Sequence, residues 1–303
     1  CMDSLDNFII PYPADGGCDE GPSYWTRAGA SLYDCLAILY NASDGRINLF
    51  DQPLVKNVGS YIYKTFISDP YYINFADASA KMNISPSLVF LYGKAIDDDV
   101  MKQFASFGAK KQGSMQKPVL AGHGCLNRIL PALFIMNELD ATPASQPFVR
   151  DVWFENIQVM AARSFEGNDN SFFVAAKGGH NNESHNHNDI GNFIVYCDGE
   201  PVLIDAGAQT YTRKTFSSQR YELWNNQSAY HNVPTINGVM QMQGVNYKAT
   251  NVTYKAGGRN AKLSLDIASS YPEQAKVTLW QRTVKLNRGK NVEIEDNYKL
   301  SAF

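Results

Sequence analysis

Apolar residues recur along this chain with two different spacings. From residue 23 to about 140 they return every three or four positions. Trp25, Ala28, Leu32, Leu36 and Leu39 lay an apolar stripe along one helix face, and Pro22 suits the first turn of that helix. Similar stretches at 53–66, 86–93, 97–107 and 126–137 are interrupted by Asp69-Pro70, Ser85-Pro86 and the small residues near Gly108–Gly113. Several amphipathic helices with short connections predict a helical array or toroid.

Beyond the proline-marked linker from Thr142-Pro143 to Gln146-Pro147 the period becomes two. Residues 172–176 read as a strand. Residues 193–197, the turn Asp198-Gly199 and residues 201–205 read as a hairpin. Residues 262–267, 277–280, 283–286 and 291–295 alternate in the same way. Many short strands with turn signals between them predict a sandwich. The expected fold is therefore α+β and multidomain, with a helical part over 1–145 and an antiparallel β-sandwich over 146–303. No internal repeat or low-complexity segment interrupts it.

Composition narrows the function classes. The chain is 44% hydrophobic, enough for a sizeable core, and 12% aromatic, which suits both a core and the packing of sugar rings. A net charge of −3 gives no reason to expect nucleic acid, so an acidic ligand needs a local basic cleft. Cys1, Cys18, Cys35, Cys125 and Cys197 are scattered and odd in number, which fits neither a disulfide framework nor a cysteine zinc site. No apolar run reaches membrane-spanning length and no signal peptide is visible; the chain reads as a fragment of a longer protein.

The candidate chemistry lies in the β half. His180, His185 and His187 fall within one polar run ending at Asp189, directly before an apolar strand. In an extended chain His185, His187 and Asp189 share a face, and imidazoles with a carboxylate are zinc ligands. Asp205 follows Val-Leu-Ile at the end of the hairpin, and His231 sits in Ala229-Tyr-His-Asn232. Taken singly, each is more often a surface or hydrogen-bonded histidine or a turn or capping aspartate. Pairing about Asp198-Gly199 puts Asp205 opposite Phe193, so the chain must bend back for Asp205 and His187 to meet. On spacing alone a metal is allowed and not compelled.

The run His185-Asn-His187-Asn-Asp189, the hairpin ending Val-Leu-Ile-Asp205-Ala-Gly207 and Ala229-Tyr-His231-Asn232 together resemble the heparinase II/III-like polysaccharide lyases, oligoalginate lyases among them. Asp19-Glu-Gly-Pro-Ser-Tyr24-Trp25 resembles the segment that opens a helix in that family's (α/α) toroid. The likeness spans roughly residues 15–298. It implies that His187, Asp205 and His231 hold a chiefly architectural metal, zinc before other divalent ions. It implies Tyr24 and His185 as catalytic groups, with Tyr33 a weaker alternative to Tyr24. The Asn, often followed by His, that grips the substrate carboxylate upstream of the tyrosine in that family has no match before Tyr24, and Gly122-His123-Gly124 does not replace it.

β-Elimination removes the C5 proton of a uronic acid and expels the C4 oxygen. It needs a base, an acid and neutralisation of the carboxylate. Arg220, His180 and Lys177 are the substrate-binding candidates, with Arg213 and Lys214 behind them. The expected partner is an acidic polysaccharide or oligosaccharide, with no nucleic acid and no membrane span; a homodimer fits the same expectation, as does a periplasmic or secreted location. The competing readings are a carbohydrate-binding protein of this fold that has lost catalysis and a zinc-dependent hydrolase.

Overall fold

The computed structural model describes residues 2–113 and 126–302. Cys1, Cys125 and the Gly122-His123-Gly124 stretch lie outside the described residues. The chain divides into two compact units. One contains Cys1–Cys18, Tyr24–Phe66 and Lys81–Pro147; the other contains Asp19–Ser23, Ile67–Ala80 and Phe148–Phe303. Two short segments from the first half of the sequence thus pack with the β half.

The first unit is helical: α1 (Met2–Ile9), α2 (Gly29–Ala42), α3 (Pro53–Lys64), α4 (Pro86–Ala95), α5 (Asp99–Gln112), α6 (Leu126–Phe134) and α7 (Met136–Ala141). Proline occupies the first turn of α3 and α4, where its missing N–H costs nothing. Asp98 caps α5 by accepting from the Met101 N–H at 2.9 Å. Gly113, at φ 64°, ends α5 in the left-handed conformation.

The stripe Trp25, Leu32 and Leu36 is buried, but the helix does not start at Pro22. A 3₁₀ turn covers Pro22–Tyr24, and α2 begins only at Gly29. The Trp25 indole donates to the Val58 carbonyl at 2.8 Å and packs closely on Gly29, where a Cβ would meet Nε1 at 2.7 Å. The ladder widens there, with Ala30 N–H reaching Trp25 O. Arg128 on α6 forms a buried ion pair with Asp34 on α2 at 2.6 Å.

The second unit is β-rich. β1 (Phe66–Ser68) and β2 (Tyr71–Tyr72) form a short ladder at its entry. The main strands are β3 (Asp151–Phe154), β4 (Val159–Arg163), β5 (Phe172–Lys177), β6 (His180–Asn181), β7 (Phe193–Cys197), β8 (Glu200–Leu203), β9 (Gly244–Lys248), β10 (Thr250–Ala256), β11 (Asn260–Asp266), β12 (Val277–Asn287) and β13 (Asn291–Leu300). One antiparallel sheet runs β3-β4-β5-β7-β8, a second β10-β11-β12-β13, and β6 pairs with β9.

Asp198 and Gly199 take φ 51° and 79°, the two left-handed positions that a two-residue hairpin turn demands. Met160, Ala162, Val174, Ala176 and Val195 of the first sheet share one buried cluster with Ala261, Leu263, Leu265, Val284 and Leu286 of the second. Two sheets closed over one apolar core make this unit a β-sandwich. The alternating pieces 277–280 and 283–286 are one strand, β12, continuous through Arg282. Its guanidinium is buried, holds Asp296 through two bonds at 2.8 and 2.6 Å, and donates to the carbonyls of Gly191 and Asn232.

Candidate functional site

Between β5 and β7 the chain leaves the sheet for the fifteen residues 178–192, which carry His180, His185 and His187. Beyond the two-residue β6, these residues do not form an extended strand. His185 sits at φ 54°, so the alternation that would put His185, His187 and Asp189 on one face is broken at its first member. Asp189 instead turns to Lys177, its carboxylate 2.8 Å from the ammonium. The other side of Lys177 meets Glu183 at 2.9 Å. Lys177 is 2% exposed and spent on two carboxylates; it anchors the base of the loop, which corrects the expectation that it reaches substrate. Its pKa is raised, since the attraction of Asp189 and Glu183 outweighs a large burial cost.

The bend required to bring the histidines to Asp205 is present. Asn188 N–H bonds to Asn226 O at 3.0 Å, which ties the loop to the chain leading into His231. The β7–β8 register pairs Val195 with Leu203, and beyond that pair Asn192 donates to Asp205. His187, Asp205 and His231 then converge: one ligand atom from each lies within 4.8 Å of the others, and all three residues are buried.

Hydrogen bonds fix which atom each imidazole presents. His231 faces an acceptor at each ring nitrogen, the Asn225 carbonyl 2.9 Å from Nε2 and Asp205 Oδ2 2.7 Å from Nδ1; with Nε2 held by the carbonyl, Nδ1 is the nitrogen it can turn to an ion. His187 has Nε2 2.9 Å from Asp77 Oδ1, and its Nδ1 is buried with no hydrogen-bond partner. An orphaned imidazole nitrogen costs free energy unless something fills the position. His187 Nδ1, His231 Nδ1 and the Asp205 carboxylate, each residue braced from behind, make a donor set that fits a metal ion. Burial drives the Asp205 carboxyl up, but the neighbouring His231 outweighs it and holds the group at about 2. Burial likewise lowers His231, and Asp205 reverses that and raises it.

Asp77 received no role from sequence. It lies in the apolar stretch Phe75-Ala-Asp-Ala78, and both of its oxygens are engaged. Oδ1 takes His187; Oδ2 takes His185 Nδ1 at 2.7 Å, the Tyr211 hydroxyl at 3.1 Å and Arg220 Nη2 at 3.1 Å. Burial pushes its carboxyl up, yet the bonds from His185 and His187 and the charge of Arg220 hold it well below the usual carboxylate range. His185 is 18% exposed at its side chain and is raised, first by the Asp77 bond. Its Nε2 lies 3.9 Å from Glu20 Oε1.

Glu20 belongs to the Asp19–Ser23 segment, whose Asp19 accepts from Ser184 N–H at 2.8 Å. Gly21, at φ 87°, lets this segment approach residues 67–80 closely; a Cβ there would sit 2.6 Å from that of Ala78. The Glu-Gly-Pro run is thus explained by one contact and one close approach.

The other expected residues fall as follows. Arg220 is mostly buried, with Nε on Asn186 O, Nη1 on Thr215 O and Nη2 on Asp77, so it braces the loop. His180 lies on β6, accepts from Asn182 N–H and is lowered chiefly by burial. Lys214 pairs with Glu222 in solvent, and Arg213 is exposed. Tyr24 ends its 3₁₀ turn in the helical unit. Tyr33 stacks among Phe50 and Tyr92, and burial raises it to about 12, as for a core tyrosine. Tyr211 was not singled out from sequence; its hydroxyl is 3.0 Å from His185 Nδ1 and its ring is exposed beside Phe216.

Fold and site together define a class: an α+β protein whose sandwich loops bury a His/Asp/His cluster able to hold a metal ion. Residues 152–302 match the family model described as heparinase II/III-like, C-terminal, and the chain belongs to that family. It is similar to a mutant of the heparan sulfate lyase HepC from Pedobacter heparinus, with 17% identity and a TM-score of 0.67 over 99% of this chain and 41% of that one. It is similar also to a structure titled heparinase III, with 16% identity and a TM-score of 0.66 over 99% of this chain and 42% of that one. At such identities the likeness is one of fold, and this chain spans about two fifths of those structures' length. No curated protein sequence matches it. Among the described residues, no helix is long and apolar enough to cross a membrane.

Proposed function

We propose that this chain is the metal-holding part of a polysaccharide lyase that cleaves uronic-acid-containing chains by β-elimination. The observation that carries the reading is the buried His187/Asp205/His231 cluster with His185 two residues away, in a family whose structural relatives are heparan sulfate lyases. Zinc is the ion the donor set suits best, and its contribution when bound is to hold the two loops together. In this reading the helical unit is part of an (α/α) toroid, and the protein works in the periplasm or outside the cell.

The chain's own groups supply the proton chemistry. His185 has Nδ1 on Asp77, and Nε2 is the nitrogen we assign to take the C5 proton of the uronate. Tyr24, by its motif, is the acid that protonates the departing C4 oxygen, and it serves as base as well when the two groups lie on the same face. Tyr211, whose hydroxyl is committed to Asp77 and His185, offers its exposed ring to the same sugar. With Lys177 sealed and Arg220 spent on the loop, Arg213 is the exposed cation left among the expected substrate-binding groups. Exposed Phe216, Trp224 and Tyr230 offer rings on which sugars pack.

The test is to incubate the purified protein with alginate and with glycosaminoglycans and follow near-ultraviolet absorbance from unsaturated ends. Tyr24→Phe and His185→Ala are each expected to lower the rate by about 10²–10⁴-fold while metal content is retained. Saturated products would instead mark a hydrolase, and binding without turnover a carbohydrate-binding protein.

A further inference from the structure

We propose that Asp77 is a positioning residue for two histidines at once: it makes His187 present Nδ1 to the metal and His185 present Nε2 to the substrate. The inference deepens the function proposed above and rests on the triad taking a metal. Its own observable is the position of two protons, which can be measured without any turnover.

A carboxylate only accepts, and it has room for about four donors. Asp77 has four: His187 Nε2 on Oδ1 at 2.9 Å, and His185 Nδ1, Tyr211 Oη and Arg220 Nη2 on Oδ2 at 2.7, 3.1 and 3.1 Å. A neutral imidazole carries one proton. Bonding to Asp77 therefore places it on Nε2 of His187 and on Nδ1 of His185, opposite nitrogens in two rings only two residues apart. His185 sits in the left-handed region at φ 54°, and its ring and that of His187 both reach the one carboxyl group. The orphaned Nδ1 of His187 is the counterpart of this choice: it is the lone pair that the Asp77 bond leaves over.

Asp77→Asn separates this role from simple packing, because the amide keeps the shape and loses one acceptor. Its oxygen is expected to stay on the side with three donors, His185, Tyr211 and Arg220. The NH₂ then faces His187 Nε2, which must become an acceptor, so the His187 proton moves to Nδ1, the ligand atom. Metal binding has to displace it.

The experiment is ¹⁵N NMR of histidine-labelled metal-free protein, with zinc affinity measured by competition against a chromophoric chelator. In the wild type, His187 is expected with Nε2 protonated and Nδ1 bare, and His185 with Nδ1 protonated. In Asp77→Asn the His187 pattern reverses, and zinc affinity falls about 10–100-fold with near-ultraviolet circular dichroism unchanged. A wild-type His187 protonated on Nδ1, or an Asp77→Asn protein that binds zinc as tightly as the parent, overturns the proposal. Should that variant not fold, the wild-type spectrum decides alone. Absence of lyase activity alongside the expected proton positions would remove the proposed reaction and leave this role of Asp77 standing.

Discussion

The sandwich core and the loops at residues 177–231 are both buried, but they are built on opposite rules. The core sets Val174, Ala176, Leu263, Leu265, Val284 and Leu286 against one another, side chains that carry no polar atom; polar atoms enter it only at its aromatic residues, among them Tyr254, Tyr271 and Trp280. The loops bury His187, Asp189, Asn192, Asp205, Asn225, Asn226 and His231 within a short stretch. Most of their polar atoms are paired, yet His187 Nδ1, Asn186 Oδ1, Asn225 Oδ1 and Asn226 Oδ1 are left over. Apolar packing has no use for such remainders, and folding alone selects against them. Unspent polar atoms in a region otherwise so fully bonded mark it as made to hold something.

That contrast can be broken most severely at Asp205. Asp205→Ala is expected to bring metal content close to zero by elemental analysis. It also leaves His231 buried without its partner, a loss of about 3–5 kcal/mol in thermal or denaturant unfolding. A variant that keeps a full complement of metal would show that the cluster is not the site. In the core, Leu263→Ala is expected to cost roughly 2–5 kcal/mol while the folded protein keeps its metal; loss of metal here would erase the distinction between the two regions.

The Lys177–Glu183–Asp189 group sharpens the contrast through pH. Burial, only partly offset by Lys177, lifts Glu183 from 4.5 to about 7. The folded protein therefore holds a proton that the unfolded chain has released. This contribution is complete below pH 4.5 and is lost as pH rises through about 7. The melting temperature should fall across that interval in the wild type and flatten in Glu183→Gln. The smallest effect belongs to the solvent pair Lys285–Glu293 at 3.1 Å. Lys285→Ala should change stability by less than about 1 kcal/mol, with metal content unaffected.

How much of this was legible in sequence depends on the range of the interactions. The Asp198-Gly199 hairpin, β5, β11 and β13 follow from local alternation and turn chemistry. The break at Arg282 was read as a gap between two strands because a charged residue at an inward position looks like a turn; its burial is made tolerable by Asp296 and two carbonyls contributed from distant loops. The late start of α2 depends on an indole lying against Gly29, which periodicity does not register. The triad emerged from motif likeness, since spacing alone favoured His185, His187 and Asp189, and the left-handed turn at His185 breaks that set. Asp77 left no local signal: its partners are 108 and 110 residues away, and an aspartate among alanines reads as a turn.

Arg282 also has a dynamic consequence. One guanidinium on a central strand is bolted to the Gly191 carbonyl, four residues after His187, and to the Asn232 carbonyl, next to His231. Neither loop can swing outward without first breaking bonds anchored in the sheet. Amide hydrogens there should exchange with solvent only on the slow timescale of whole-sandwich opening, unlike ordinary surface loops. The His187/Asp205/His231 cluster is in effect milled into the frame of the protein.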